Sequence, residues 1–558
     1  MIVVKGKILN VFTGNIELGE IAIEKDIIAC IGKDMKADET YDFSDHFILP
    51  GFIDSHIHIE SSMVSPSHFA RAVVPHGTTA VVTDPHEIAN VSGVEGIEFM
   101  LKDSEESPIK LFFTAPSCVP ATNFETSGSV LNVDEIKKLL QKPSCVGLGE
   151  VMNFPGVIAG DPQLMSKIKA AKDAGKVVDG HSPGLTGGGL CKYVKAGAQS
   201  DHECTQSDEA SEKMKLGMKI MIREGSVMKN MNSLISIVNI RTEPNCMLVS
   251  DDLHPGDMLK EGHIDRLLKK AVSLGADPTS AVRMVTINPA RYFGLPGLGA
   301  VAPGYKADLV VVKDMREFEP VAVFSDGKLV ARDGKPLFEA KPFPPPERIK
   351  SSVNIQPFGP VSFKISAEKK SVVRVIDVPN GKSEAELECR LGQLQPDMEN
   401  DILPLVVVER HKRTGNIGKA FVRGFGLRGG ALASTVAHDS HNIICVGANY
   451  VDMAYAVNAL EKMGGGMVVV KDSHIVESLE LPIAGLISRE TAERVDEKMR
   501  SLNTAAQNLG CKLSSPFMEL SFLALPVIPK LKLTDKGLVD VEKFEFVSPI
   551  VQDSEKSS

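Results

Sequence analysis

Gly51-Phe52-Ile53-Asp54-Ser55-His56-Ile57-His58-Ile59-Glu60 is the stretch on which the reading of this chain turns. Apolar and polar residues alternate along it, which is the period of a β-strand. Side chains two apart on a strand project to the same side. His56 and His58 therefore leave one strand end together, and two imidazoles at that spacing can grip one divalent metal ion. An isolated His-x-His is usually a pair of satisfied surface histidines. Here ligand-type residues recur at later strand ends, and that recurrence favours the metal.

Working outward, residues 1 to about 50 read as all-β. Ile2 to Val11, Ile16 to Glu24 and Ile27 to Ile31 are strand-like runs, with Thr13-Gly14-Asn15 and Lys25-Asp26 as turns between them. After Pro50, strand-like runs alternate with helix-like ones, the pattern of βα units around a parallel sheet. The strand candidates are 51–60, Thr78 to Asp84, Ile109 to Ser117, Cys145 to Val151, Val177 to Ser182, Gln199 to Glu203, Lys219 to Ser226 and Asn245 to Asp252. Val133 to Leu140, Gln163 to Ala174 and Met258 to Leu274 read as helices among them, the last stopping at Gly275. Eight such units fit the usual length of about 250 residues for a (β/α)8 barrel.

From Pro303 the chain turns β again, with strands at Leu309 to Val312 and Val321 to Phe324 and a hairpin-type turn at Asp326-Gly327. The expected class is α/β. A TIM-like (β/α)8 barrel covers 51–294. A small composite β domain is built from 1–50 plus 295–340, and an extra C-terminal α/β domain covers 351–551. Lys341-Pro342-Phe343-Pro344-Pro345-Pro346 reads as a stiff linker. Ser488 to Leu509 reads as a helix with Ser at its start and Gly510 at its end. The polar tail Gln552 to Ser558 is expected to be disordered.

Composition narrows the class. The chain has 558 residues and a net charge of −10, with no basic block, so neither nucleic acid nor an anionic membrane is an expected partner. The start reads as a strand rather than a leader peptide. No apolar run reaches the length of a membrane span. The nine cysteines form no Cys-x-x-Cys pair and read as reduced thiols of a cytoplasmic protein.

In a barrel of this kind, reactive side chains gather where strands end and loops begin. Strand one supplies His56 and His58. Strand four ends in Gly147-Leu148-Gly149-Glu150, strand five in Asp179-Gly180-His181, and strand six carries Asp201-His202-Glu203. Strand eight ends in Ser250-Asp251-Asp252. Glu150 is placed to bridge two metals, with His56 and His58 on one and His181 and His202 on the other. A metal lowers the pKa of bound water from about 15.7 towards neutrality. Asp251 is then the group to take a proton from that water and pass it to the leaving group. The reaction class is metal-assisted hydrolysis at a carbon bonded to nitrogen or oxygen.

Pro50-Gly51-Phe52-Ile53-Asp54-Ser55-His56-Ile57-His58, the later Glu150, His181, His202 and Asp251, and Pro303-Gly304-Tyr305-Lys306-Ala307-Asp308-Leu309-Val310 resemble the amidohydrolase superfamily. A closer resemblance, to the bacterial and archaeal adenine deaminases, rests on five further stretches. These are His58-Ile59-Glu60-Ser61-Ser62-Met63, Thr83-Asp84-Pro85-His86-Glu87-Ile88-Ala89-Asn90, Gly180-His181-Ser182-Pro183-Gly184, Ile222-Arg223-Glu224-Gly225-Ser226 and Ala437-His438-Asp439-Ser440-His441-Asn442. The resemblance implies hydrolysis of adenine to hypoxanthine and ammonia in purine salvage and adenine catabolism. It also implies two divalent metal ions, manganese with iron or zinc as alternatives, and a homodimer. Many amidohydrolases carry a carboxylated lysine at the bridging position. This chain carries Glu150 there, as adenine deaminases do.

Other features have two readings each. His86 is either the cap of the helix that follows it or a catalytic neighbour or extra ligand of the metal site. Arg223 either pairs with a local acid such as Glu224 or, together with Ser226, donates to ring nitrogens of a purine. The polar stretch Ser434 to Asn442 is a self-satisfied turn, a dimer contact, or a substrate-binding segment in which His438, Asp439 and His441 face the barrel mouth. Gly187-Gly188-Gly189 and Gly464-Gly465-Gly466 match no nucleotide-binding motif and read as turns. His58-Ile59-Glu60 lacks the later Pro-Cys-x-x-Cys of cytidine-deaminase-type zinc enzymes. A cyclic-amide hydrolase predicts the absent lysine, and a non-enzymatic barrel predicts lost ligands, yet all six remain.

Overall fold

The computed structural model describes residues 1–379 and 381–551, so the tail from Gln552 lies outside the described residues. The described chain divides into two compact units. The first comprises residues 1–85, 100–118 and 131–344, and the second 86–99, 119–130 and the chain from Pro345 onward.

The first unit holds eight parallel barrel strands: β1 (Phe52–His58), β2 (Thr78–Thr83), β3 (Lys110–Ala115), β4 (Cys145–Val151), β5 (Val177–Gly180), β6 (Ser200–Asp201), β7 (Lys219–Arg223) and β8 (Cys246–Val249). β1 to β5 pair in sequence order, as do β6 to β8. The backbone amide of Gln199 donates to Val178 O across the seam between β5 and β6, at 2.9 Å. Past β8, the short strand Asp251–Asp252 pairs in parallel with Ile57 and His58 of β1. The sheet thus curls into a TIM-like barrel, and its last strand brings Asp251 beside the two histidines of its first. β1, β2 and β4 are buried along their whole length, as expected where helices cover one face of a parallel sheet and packed side chains fill the other.

Residues before and after the barrel share one eight-stranded sheet. Glu39–Pro50 runs parallel to Ile2–Leu9 on one side and antiparallel to Leu309–Val312 on the other, with Pro50 opposite Leu309. Glu39–Pro50 is a strand the sequence pattern does not announce, because its first half is exposed and polar. In the second unit an eight-stranded sheet carries Ile443–Gly447 and Ala431–Ser434 near its middle, with helix Tyr450–Met463 packed on it.

Two helix expectations need correction. The run Met258 to Leu274 is two helices, Pro255–Glu261 and Ile264–Ser273. Gly262 sits between them at φ 97°, a conformation open to glycine. The break turns His263 inward, where its ring is fully buried between Thr78 Oγ1 at 2.7 Å and Asp54 Oδ2 at 3.0 Å. The helix read from Ser488 begins at Ala492, with Thr491 as its N-cap residue. Ser488 instead accepts the Glu490 amide in the turn ahead of it.

Asp54 also accepts the Ser250 hydroxyl at 2.5 Å, so one carboxyl group ties β1, the end of β8 and His263 together. Replacing His263 by Leu leaves the buried Thr78 hydroxyl without its ring partner. The expected cost is about 1–3 kcal/mol, read as a lower midpoint in urea. An unchanged midpoint would show that the inward turn at Gly262 is not stabilising.

Candidate active site

His56 and His58, two apart on β1, are both buried. Their Nε2 atoms lie 3.2 and 2.9 Å from Glu150 Oε1, and 3.5 and 3.2 Å from Asp251 Oδ1. The other carboxylate oxygen of Glu150, Oε2, lies 2.7 Å from His181 Nδ1 and 3.4 Å from His202 Nε2. Glu150 thus presents one oxygen to each pair of imidazoles. The His56 ring stacks on that of His202, centroids 4.0 Å apart.

The far nitrogens decide what these near nitrogens carry. His58 Nδ1–H donates to the Asp84 backbone carbonyl at 2.9 Å, and His56 Nδ1–H donates to Asp179 Oδ2 at 3.2 Å. A neutral imidazole with its proton on Nδ1 has a lone pair at Nε2. At both histidines that lone pair faces carboxylate oxygens, which only accept. Acceptor against acceptor in a buried site requires a cation between them, either a proton or a metal ion. Ring nitrogens backed by a carbonyl or carboxylate are also the usual dress of metal-binding histidines. His56, His58 and Glu150, then His56, His202 and Asp251, then Glu150, His181 and His202 each bring their donor atoms within 4.8 Å of one another. The residues present therefore fit divalent metal ions.

The electrostatics agree. Burial opposes ionisation of Glu150, but His202, His58 and His181 hold its carboxyl well below the usual range. Burial likewise opposes ionisation of Asp251, and Arg223 with the two β1 histidines overcomes it. Burial would discharge His56, yet Asp179, Asp251 and Glu150 raise its pKa well above normal. His181 is raised to about 9 by Glu203 and Glu150 against the same penalty. The site is an anionic cage that holds positive charge on or between its imidazoles.

Arg223 ends β7 and donates to Asp251 Oδ2 at 2.9 Å, to both oxygens of Glu203, and to Asn230 Oδ1 at 3.2 Å. The expected local partner Glu224 is instead paired with Lys270 at 2.5 Å, because neighbours on a strand point to opposite sides. Ser226 accepts the His254 amide at 2.8 Å and so holds the following loop.

His86 begins the helix His86–Ser104, and its side chain makes no capping bond there. In the second unit its Nε2 lies 3.5 Å from Glu87 Oε1 and 3.9 Å from Asp439 Oδ1. His438 and His441 also converge on Glu87, one on each oxygen. The sequence pattern assigns no separate role to Glu87, to Asp179 or to Glu203, which lies 3.6 Å from His202 Nε2. The available signal was an acid directly beside a ligand-type histidine, in His202-Glu203 and His86-Glu87.

A parallel barrel with paired histidines and a shared carboxylate at its strand ends is the architecture of a metal-dependent hydrolase. Residues 47–330 match the amidohydrolase family, which implies divalent metal ions, and residues 378–545 match the adenine deaminase C-terminal domain. The chain is 47% identical to an adenine deaminase of Desulfatibacillum aliphaticivorans, over 98% of this chain and 96% of that one. It is 49% identical to one of Methanothermobacter thermautotrophicus, over 97% and 98%. The chain belongs to the amidohydrolase family and, within it, to the adenine deaminases.

Asp179→Asn removes the charge that sets the His56 tautomer. The expected result is a loss of metal affinity on the order of 10- to 100-fold, with the far-ultraviolet circular dichroism unchanged. Titration of the apoprotein with manganese measures it, and wild-type affinity would deny Asp179 that role.

Proposed function

We propose that this protein hydrolyses adenine to hypoxanthine and ammonia. Water attacks C6, the C6–amino bond breaks, and the amine leaves with a proton taken from that water. The similarity to adenine deaminases along nearly the whole chain carries this reading. The divided carboxylate of Glu150 supports the chemistry, because it suits two metals rather than one.

When bound, two divalent ions, manganese or else iron or zinc, supply a water acidic enough to ionise near neutral pH. His56, His58, His181, His202, Glu150 and Asp251 are the residues that would hold them. The chain's own work is to place and move protons. Asp251 is ionised, so it can accept a proton from the attacking water and return it to the leaving amine. Its Oδ1 faces the β1 histidines while Arg223 holds Oδ2, which aims the carboxylate. Arg223 donates to Asp251, to both oxygens of Glu203 and to Asn230, which aims those acids and holds the guanidinium in place, where a remaining N–H can donate to a purine ring nitrogen. Ser226 acts indirectly, through the loop at His254.

The layout of 1–50 with 295–340, 51–294 and 351–551, a homodimeric state, a cytoplasmic setting and a place in purine salvage complete the proposal. Among the described residues no helix is long and apolar enough to cross a membrane.

Manganese-loaded protein incubated with adenine should shift the purine spectrum to that of hypoxanthine and release an equal amount of ammonia. Adenine left unchanged by fully loaded protein would refute the assignment. Asp251→Asn should keep most of its metal and lose about 10²- to 10⁴-fold in kcat. A near wild-type kcat there would move the proton-transfer role elsewhere.

A further inference from the structure

The second unit contains a cluster of ionisable side chains that shares no residue with the barrel donors. We propose that His86, Glu87, His438 and Asp439 form a separate mononuclear site for a first-row divalent metal ion. This rests on the second unit alone and stands whether or not the barrel deaminates adenine.

Glu87 Oε1 lies 2.6 Å from His438 Nδ1 and 3.5 Å from His86 Nε2. Asp439 Oδ1 lies 3.9 Å from His86 Nε2 and 4.0 Å from His438 Nδ1. Two imidazole nitrogens and two carboxylate oxygens thus surround one small volume, and all four side chains are at most 7% exposed. Mixed nitrogen and carboxylate donors suit manganese, iron or zinc. Two buried carboxylates are costly without matching positive charge, and one divalent cation neutralises both.

His441 is near enough to be taken for a ligand, since Glu87, His438 and His441 also gather their donor atoms within 4.8 Å. Its hydrogen bonding assigns it a different part. The Ala437 amide donates to His441 Nδ1 at 3.1 Å. A ring that accepts at Nδ1 carries its proton on Nε2, and His441 Nε2–H therefore donates to Glu87 Oε2. Glu87 is thus held from behind by a neutral donor while Oε1 faces the proposed ion, the arrangement expected of a ligating carboxylate. The His438 ring is fixed from the side by stacking on Phe522, centroids 5.2 Å apart and planes 20° from parallel.

The test is metal content and position in the full-length protein. Protein produced in manganese-supplemented medium should hold one equivalent beyond those bound at the barrel residues, counted by plasma mass spectrometry. An anomalous difference map at the manganese edge should show a peak among His86, Glu87, His438 and Asp439. The double variant His438→Gln with Asp439→Asn should lose that one equivalent and keep the rest, whereas Glu150→Gln should lose barrel metal and keep this one. No anomalous peak at the cluster in the wild-type protein overturns the proposal, as does an unchanged metal count in a folded double variant. Should the double variant fail to fold, the wild-type map decides. A peak at the cluster in protein that leaves adenine untouched upholds this site and refutes only the barrel reading.

Discussion

The barrel site depends on one confrontation: ring nitrogens of four histidines against the two oxygens of a single buried glutamate. Glu150 has an oxygen for each pair. At the β1 histidines neither side can donate once the ring protons are committed to Asp84 and Asp179. Only positive charge between the groups makes the arrangement stable, since buried anions and lone pairs otherwise lose their hydration without return. The neighbouring residues serve that condition. Arg223 keeps Asp251 ionised and aimed, and the pairing of Asp251 and Asp252 with β1 brings that acid to the first strand.

The principal donors are legible in the sequence because strand periodicity is local. His56 and His58 share a side through spacing alone, and acids and histidines at the ends of β4, β5, β6 and β8 share a mouth once a barrel is assumed. The groups that dress those donors are harder to read. The partner of His58 is a backbone carbonyl, which no residue type announces. Glu203 follows the two-residue strand β6, so strand alternation does not say where its side chain goes. The break at Gly262 accompanies the burial of His263 against Asp54 and Thr78, contacts made with residues far away in sequence. Residues 86–99 and 119–130 lie between barrel strands in sequence and group with the C-terminal unit. Local composition carries no trace of that grouping, because contacts with residues hundreds of positions away create it.

The stretch from Ser434 to Asn442 shows how several readings of one motif narrow. His438 and His441 find their partner in Glu87, some 351 positions earlier for His438. Asn442 donates to the Thr126 carbonyl at 2.8 Å. The motif is therefore satisfied by segments inserted between barrel strands and not only by itself. A C-terminal unit that takes Glu87 and Thr126 from segments between barrel strands is tied to the barrel through covalent continuity.

A glutamate at the position where many amidohydrolases carry a carboxylated lysine imposes a geometric demand that the longer side chain would not. With only two methylenes between backbone and carboxyl, the β4 chain itself must stand close to the histidines. Gly149 meets that demand. A Cβ there would lie 2.2 Å from Asp84 Oδ2, so only glycine lets the Asp84 carboxylate reach past position 149 to accept the Glu150 amide at 2.7 Å. Asp84 thus grips the backbone of Glu150 with its side chain and orients His58 with its own carbonyl. The short glutamate, the glycine before it and the aspartate at the end of β2 form one device. Shortening the ligand moves the burden of positioning from a flexible side chain to the backbone, where hydrogen bonds between strands already hold it.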